Sequence, residues 1–160
     1  MTERPPPRIL FVCLGNICRS PLAEGAMRAA ADREGFAIET DSAGTGDWHV
    51  GHPPDPRAVA EAARNGIDIA GLRGRQITLA DFERFDHVIA LDGNNLRDLR
   101  SIAPAGAAGS LSLLLDHAHG RAGQEVADPY FGDAAGFAKA WADISAGVEG
   151  LLAELRQPSR

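Results

Sequence analysis

Residues 8 to 13, RILFVC, are apolar at every position after Arg8. Six residues are too few for an ordinary helix, and Ile9, Phe11 and Val12 favour extended backbone, so the run reads as a strand. A strand with no polar face to turn toward water is buried on both sides, as in the middle of a parallel sheet. Parallel strands cannot be joined by hairpins, so the residues that follow must supply crossovers, most simply helices.

The rest of the chain has that pattern. Ser20 suits a helix cap and Pro21 a first helical position, which predicts a helix from Pro21 to about Arg33 with Leu22, Ala26, Met27 and Ala30 inward. A second strand is expected within AIETDSAG, residues 37 to 44. Asp55 and Pro56 repeat the start signal and Gly66 supplies a stop, framing a helix over AVAEAARN; Thr78 is expected to cap a further short turn. HVIAL, residues 87 to 91, reads as a third strand and LSLLL, residues 111 to 115, as a fourth. Phe137, Trp141, Ile144, Val148, Leu151 and Leu155 recur at steps of three and four, the stripe of an amphipathic last helix. Strands separated by helices predict an α/β domain with a mostly parallel sheet. Such sheets bind ligands beyond the carboxyl ends of their strands, and Cys13 stands at one such end.

No linker or repeat divides the 160 residues, and the Gly/Ala-rich piece at 103 to 110 reads as a loop. The expected layout is a disordered tail over residues 1 to 7, one domain over 8 to 156, and a short tail over 157 to 160. No apolar run is long enough to span a bilayer, and MTERPPPR has no apolar signal core. A net charge of −6 disfavours nucleic acid or an anionic membrane as partner. Two cysteines, Cys13 and Cys18, are too few for a disulfide-stapled scaffold, so a reduced, cytoplasmic setting is the default, with leaderless secretion unreadable.

The opening loop, VCLGNICRSP, carries the chemistry. A loop running into a helix amino terminus presents unpaired N–H groups and a partial positive charge that favour an anion. Gly15 allows close backbone approach, and Asn16 tolerates left-handed dihedrals. The Gly-Lys-Ser/Thr of nucleotide-binding loops is missing; Arg19, whose planar fork matches two phosphate oxygens, is present instead. Amide dipoles and a guanidinium favour the ionised form of a thiol placed among them, and a thiolate aimed at a bound phosphoryl group is an activated nucleophile. A lone strand-end cysteine is ordinarily a small buried hydrophobe, but that reading leaves the surrounding Gly, Asn, Arg, Ser and Pro to coincidence. Phosphoryl transfer to sulfur followed by hydrolysis also needs a general acid for the leaving oxygen. Asp128 in ADPYFG is the candidate, stiffened by the proline after it, with Tyr130 and Phe131 placed to flank an aromatic substrate.

CLGNICRSP, DSAGTG, ADPYFG and FDHVIALD together resemble the low-molecular-weight protein tyrosine phosphatases, the bacterial ones in particular, from Arg8 to the last helix. The resemblance implies a four-stranded parallel twisted sheet flanked by helices on both faces, with a phosphate-binding loop, Leu14, Gly15, Asn16, Ile17, Cys18 and Ser20, between the first strand and first helix. It implies Cys13 as the nucleophile that becomes a phosphocysteine, Arg19 as the phosphate clamp, and Asp128 as the acid that later activates water. Ser20 would hydrogen-bond the Cys13 sulfur, Asn16 would hold the loop with help from Ser42, and Trp48 would line the entrance. Cys18 is either a small core residue or the partner of Cys13 in a reversible, protective disulfide, and both roles are compatible. The implied partner is a phosphotyrosine protein, such as an autophosphorylated bacterial tyrosine kinase, a polysaccharide-export regulator or a host protein, met by a monomer without cofactor or metal. His49 and His52 read as solvated loop residues, Asp92 as a helix cap, and His87, His117 and His119 form no ligand spacing. One position departs from the family: many members have a loop-bracing histidine where Leu72 stands in GLRGRQ.

Three other readings are weaker. Thioredoxin-linked arsenate reductases share the fold but need two further cysteines, and none follows Cys18. Protein arginine phosphatases typically carry a small threonine where Ile17 stands, and a larger apolar residue suits a flat phenyl ring better. A non-catalytic phosphotyrosine binder would be expected to have lost Cys13 or Asp128.

Overall fold

The structure is a computed structural model that describes residues 5 to 157. Strand β1 (Arg8–Cys13) leads through the cysteine loop into helix α1 (Arg19–Arg33), then β2 (Glu39–Gly44), α2 (Pro56–Arg64), the short α3 (Asp81–Arg84), β3 (His87–Ala90), α4 (Gly93–Ile102), β4 (Ser110–Leu113) and the long α5 (Ala134–Arg156). All four strands are parallel, in the order β2-β1-β3-β4. β1 is therefore paired on both sides, as its unbroken apolar run requires.

Alternate residues of β1 feed two cores. Ile9, Phe11 and Cys13 face α1 and α5, where Leu22, Met27, Phe137, Ile144, Val148 and Leu151 are buried. Leu10 and Val12 face α3 and α4, against Phe82, Phe85, Leu96 and Leu99. The stripe expected on α5 is the face that packs, with Trp141 and Leu155 partly buried at its margin. The chain leaves β1 toward β2 on one side and reaches β3 on the other, so the sheet order reverses beside Cys13, the place where open α/β sheets form ligand crevices.

Several local readings change. Helix α1 starts at Arg19, with Cys18 as its cap residue, and Ser20 lies inside it. The Ser20 hydroxyl is engaged by Asn16 and Cys13 instead of by a backbone N–H of its own helix. Pro21 then occupies the first turn, where a missing N–H costs nothing. Thr78 does not cap α3; the polarity is reversed, with the Asp81 carboxylate accepting from the Thr78 backbone N–H at 2.7 Å. LSLLL is extended only to Leu113, and Leu114 and Leu115 turn inward as part of a 3-10 turn, Leu114–His117. Asp55 caps α2 as expected, accepting from Arg57 N–H. Of the two expected tails, residues 1 to 4 and 158 to 160 lie outside the described residues, while the Pro7 carbonyl accepts from Glu39 N–H at 2.9 Å. No helix among the described residues is long and apolar enough to cross a membrane.

Candidate active site

Cys13 ends β1, and the chain folds back at once over the end of β2. Thr45 N–H donates to the Cys13 carbonyl at 3.0 Å and Gly46 N–H to that of Leu14 at 2.9 Å. The approach is so close that a Cβ on Gly44 would lie 2.8 Å from the Leu14 oxygen, which accounts for the glycine in DSAGTG. Asn16 then takes a left-handed conformation, φ 57°, the only non-glycine residue to do so among those described.

Asn16 is buried, and the identity of its side-chain atoms follows from one bond. The Arg75 backbone N–H can only donate, and it donates to Asn16 Oδ1 at 3.0 Å. Asn16 Nδ2 must then face the two hydroxyls, Ser20 Oγ at 2.7 Å and Ser42 Oγ at 3.0 Å, and both accept from it. The single proton on Ser20 is left for Cys13 Sγ, 3.0 Å away. Ser42 likewise directs its proton to the buried Glu24 Oε1 at 2.7 Å, and Arg28 pairs with the other oxygen of Glu24. Leu72 takes no part in this network and packs with the apolar core.

Arg19 is 2% exposed. Its Nη1 donates to Asp92 Oδ2 at 2.7 Å and to the Val126 carbonyl at 2.8 Å, which uses both of that atom's protons. Nη2 lies 3.6 Å from Asp128 Oδ2, and no hydrogen bond among the described residues engages Nε. The Nε–Nη2 edge is thus the edge open to a bound oxyanion. Burial alone would weaken the guanidinium's hold on its proton, but Cys13, Asp92 and Asp128 around it outweigh that and push its pKa up. Asp92, read from the sequence as a cap, does cap α4 through Asn95 N–H at 2.7 Å and holds Arg19 with its other oxygen.

Asp128 stands across the cleft, more exposed than Arg19, with Oδ1 accepting from Tyr130 N–H at 3.0 Å. A cavity of about 190 Å³ lies between the loop and this segment. Cys13, Arg19, Gly15 and Ile17 form its floor and near wall, Asp128, Tyr130 and Phe131 the far wall, and Trp48 and His49 its rim. Tyr130 and Phe131 meet edge to face, and the Phe131 ring is 96% exposed. Every side chain expected in the cleft is there, while Asn16, Ser20 and Ser42 lie beneath the loop. His49, expected to be solvated, instead helps line the cleft.

Cys18 is buried beside the loop, and burial, with Asp55 adding to it, pushes its thiol pKa up, so it remains protonated. Among the described residues, no group of three His, Cys, Asp or Glu is arranged to hold a metal ion.

A cysteine seated on an anion-binding loop, opposite an aspartate and between aromatic walls, fits phosphomonoester chemistry, and the comparisons agree. Residues 8 to 160 match the model of the family described as low molecular weight phosphotyrosine protein phosphatase. The chain belongs to this family. It is 42% identical over 155 residues to a low molecular weight protein-tyrosine-phosphatase of Streptomyces coelicolor, covering 94% of each chain. It is 39% identical to the protein-tyrosine-phosphatase YfkJ of Bacillus subtilis over 93% of this chain and 96% of that one. The crystal structure of YfkJ superposes with a TM-score of 0.90 over 97% of this chain and 98% of that chain. The family's relatives are hydrolases, but the fold does not choose among phosphorylated substrates. DARP, described as a drosophila arginine phosphatase, superposes with a TM-score of 0.85 at 30% identity, covering 94% of this chain and 99% of that one.

Proposed function

We propose that this phosphatase hydrolyses phosphotyrosine in proteins through a phosphocysteine on Cys13. The observation that carries the reading is the Cys13 sulfur, 3.0 Å from the Ser20 hydroxyl that donates to it, in a cavity lined also by Arg19 and Asp128. In the first step Sγ attacks phosphorus, the P–O bond to the tyrosine ring breaks, and the leaving oxygen takes a proton from Asp128. In the second, the Asp128 carboxylate takes a proton from water, the water oxygen attacks phosphorus, and the S–P bond breaks to free phosphate. The Ser20 hydroxyl stabilises the sulfur anion that leaves. The Nε–Nη2 edge of Arg19 and the loop amides hold the equatorial oxygens, whose charge is spread in a loose transition state.

Ile17 supports tyrosine over arginine. It is a partly buried apolar side chain on the cleft wall, packed against the core, and opposite it stand Tyr130 and Phe131. A flat ring is matched on both sides by such walls, whereas a guanidinium gains no donor or acceptor from them. The substrate is then a protein that presents phosphotyrosine on an exposed segment, reached by a monomer. The two free cysteines support a reduced, cytoplasmic setting. The test is turnover of phosphotyrosine, phosphoserine and phosphoarginine peptides by wild type, Cys13→Ser and Asp128→Ala. Selective phosphotyrosine hydrolysis, abolished by Cys13→Ser and slowed on the order of a hundredfold or more by Asp128→Ala, supports the assignment. Faster turnover of phosphoarginine would overturn the substrate, and retained turnover by Cys13→Ser would overturn the mechanism.

A further inference from the structure

Arg57 lies outside the cleft lining, yet every nitrogen of its guanidinium is engaged. Nε donates to Asp55 Oδ1 at 3.0 Å and Nη2 to Asp55 Oδ2 at 2.9 Å, a two-pronged pair within one turn. Two further bonds cross to the segment that bears Asp128: Nη2 donates to the Tyr130 carbonyl at 2.9 Å and Nη1 to that of Gly132 at 3.2 Å. The same guanidinium carbon lies 5.6 Å from the Tyr130 ring centre and 4.8 Å from that of Phe137, the first buried apolar residue of α5. On the other side, Asp55 N–H donates to the carbonyl of Ile17, in the cysteine loop, at 2.8 Å. Residues 55 to 57 therefore touch both halves of the site, with the loop that holds the phosphate behind them and the loop that holds the acid in front.

The acid loop has few other ties. Asp128 Oδ1 bonds only to Tyr130 N–H of its own turn, and Gly132 N–H closes back on the Pro129 carbonyl. Val126 N–H to the Leu91 carbonyl anchors the segment before Asp128, and the Asp133 cap anchors α5 after it. Between those points, two carbonyls beyond Asp128 are fixed to the rest of the molecule by Arg57.

From this arrangement we propose that Arg57, held by Asp55, is a positioning residue that sets the distance of Asp128 from the phosphoryl group on Cys13. This rests on Asp128 acting as the general acid. A planar fork is well matched to that role, because it spans one carboxylate and two carbonyls at once, which a single ammonium cannot. Without it, Asp128 keeps its chemistry but loses its register, and misplacement by an ångström is costly for a group that must deliver a proton.

The discriminating measurement is the dependence of rate on the leaving group, which a merely structural role would not alter. Phenyl phosphate needs its leaving oxygen protonated; 2,4-dinitrophenyl phosphate releases 2,4-dinitrophenolate, a stable anion that leaves without a proton. For Arg57→Ala, kcat/KM, which reports the steps through phosphocysteine formation and not its later hydrolysis, falls on the order of tenfold to a hundredfold with phenyl phosphate, while that with 2,4-dinitrophenyl phosphate changes by less than about threefold. Arg57→Lys, which keeps the charge and guards against a folding defect, falls between wild type and Arg57→Ala, with thermal melts confirming a folded protein. Combining Arg57→Ala with Asp128→Ala slows phenyl phosphate no further than Asp128→Ala alone, because the two act through one group. Equal losses on both substrates, or none, in folded Arg57 variants would overturn the proposal while Asp128→Ala still shows the selective loss. Absence of a selective loss in Asp128→Ala itself would remove the acid assignment, and the positioning role with it.

Discussion

Arg19 Nη1 and Asp92 Oδ2 are 2.7 Å apart, and the aspartate that makes this bond also caps α4. One side chain thus fixes Arg19, the proposed phosphate clamp, and begins the helix after β3. The two roles separate by substitution. Asp92→Asn keeps a capping oxygen but turns an amide nitrogen, itself a donor, toward Arg19 Nη1. The kcat/KM should therefore drop roughly tenfold as Arg19 loses its orientation, and the melting temperature should fall only by the loss from buried Arg19 left unpaired, with the cap intact. Asp92→Ala should lose the activity and also about 1 kcal/mol or more of stability from the cap, with a further loss from leaving buried Arg19 unpaired. Steady-state kinetics and thermal melts on both variants check this.

Ser20 donates its only free proton to the Cys13 sulfur. The donor matters most when sulfur is the leaving group, so Ser20→Ala should slow breakdown of the phosphocysteine more than its formation. Rapid mixing with p-nitrophenyl phosphate should then show a burst of nitrophenol followed by a steady state reduced on the order of a hundredfold. A loss with no burst would place the effect in the first step instead.

Ser42 joins the loop to Glu24, a carboxylate 3% exposed. Ser42→Ala leaves Glu24 Oε1 buried without that donor and should cost about 1 to 3 kcal/mol, read as a lower melting temperature. Glu24→Gln, which can still accept from Ser42, should cost less.

Arg75 grips Asp81 with both terminal nitrogens, at 2.9 and 3.0 Å. Burial raises the Asp81 pKa, but the Arg75 and Thr78 hydrogen bonds outweigh it, and the net direction is down. A carboxyl depressed in the folded state adds stability above its unfolded value of about 3.9, and that stability is lost as pH falls through the folded value. The melting difference between wild type and Asp81→Asn should therefore be constant from neutral pH to about 5 and shrink below about pH 4. A difference that instead grew on acidification would contradict the sign.

The parts of this molecule that were legible in the sequence are those written in local patterns. The doubly buried β1, the Asp55-Pro56 start of α2 and the apolar stripe of α5 each follow from residues a few positions apart, and all stand as read. The loop residues and Asp128 were legible because few other reasons bring those side-chain types together at that spacing. What escaped depends on partners brought by the fold. Ser20 looked like a cap because its helix was in view and Asn16's need for an acceptor was not. The Arg75 N–H that orients Asn16 comes from 59 residues away, carried there by pairing of residues 75 to 77 with Gly44. His49 reaches the cleft for a similar reason, as no periodicity marks where an irregular loop will lie. Arg57 follows an Asp-Pro turn signal that accounts for the helix start and gives no hint of two carbonyls, one 73 and one 75 residues on.

The placement of β1 between two strands has a consequence for how the protein breathes. Amide protons along β1 point alternately to the strands on its two sides, so the whole strand loses protection only when both flanks let go, and the seat of Cys13 should open with the global unfolding free energy. The acid segment, tied chiefly by side chains, should open far more readily. The molecule would then spend brief intervals with the Cys13 loop assembled and Asp128 displaced, and hydrogen exchange should divide the site into a slow half and a fast half along that line.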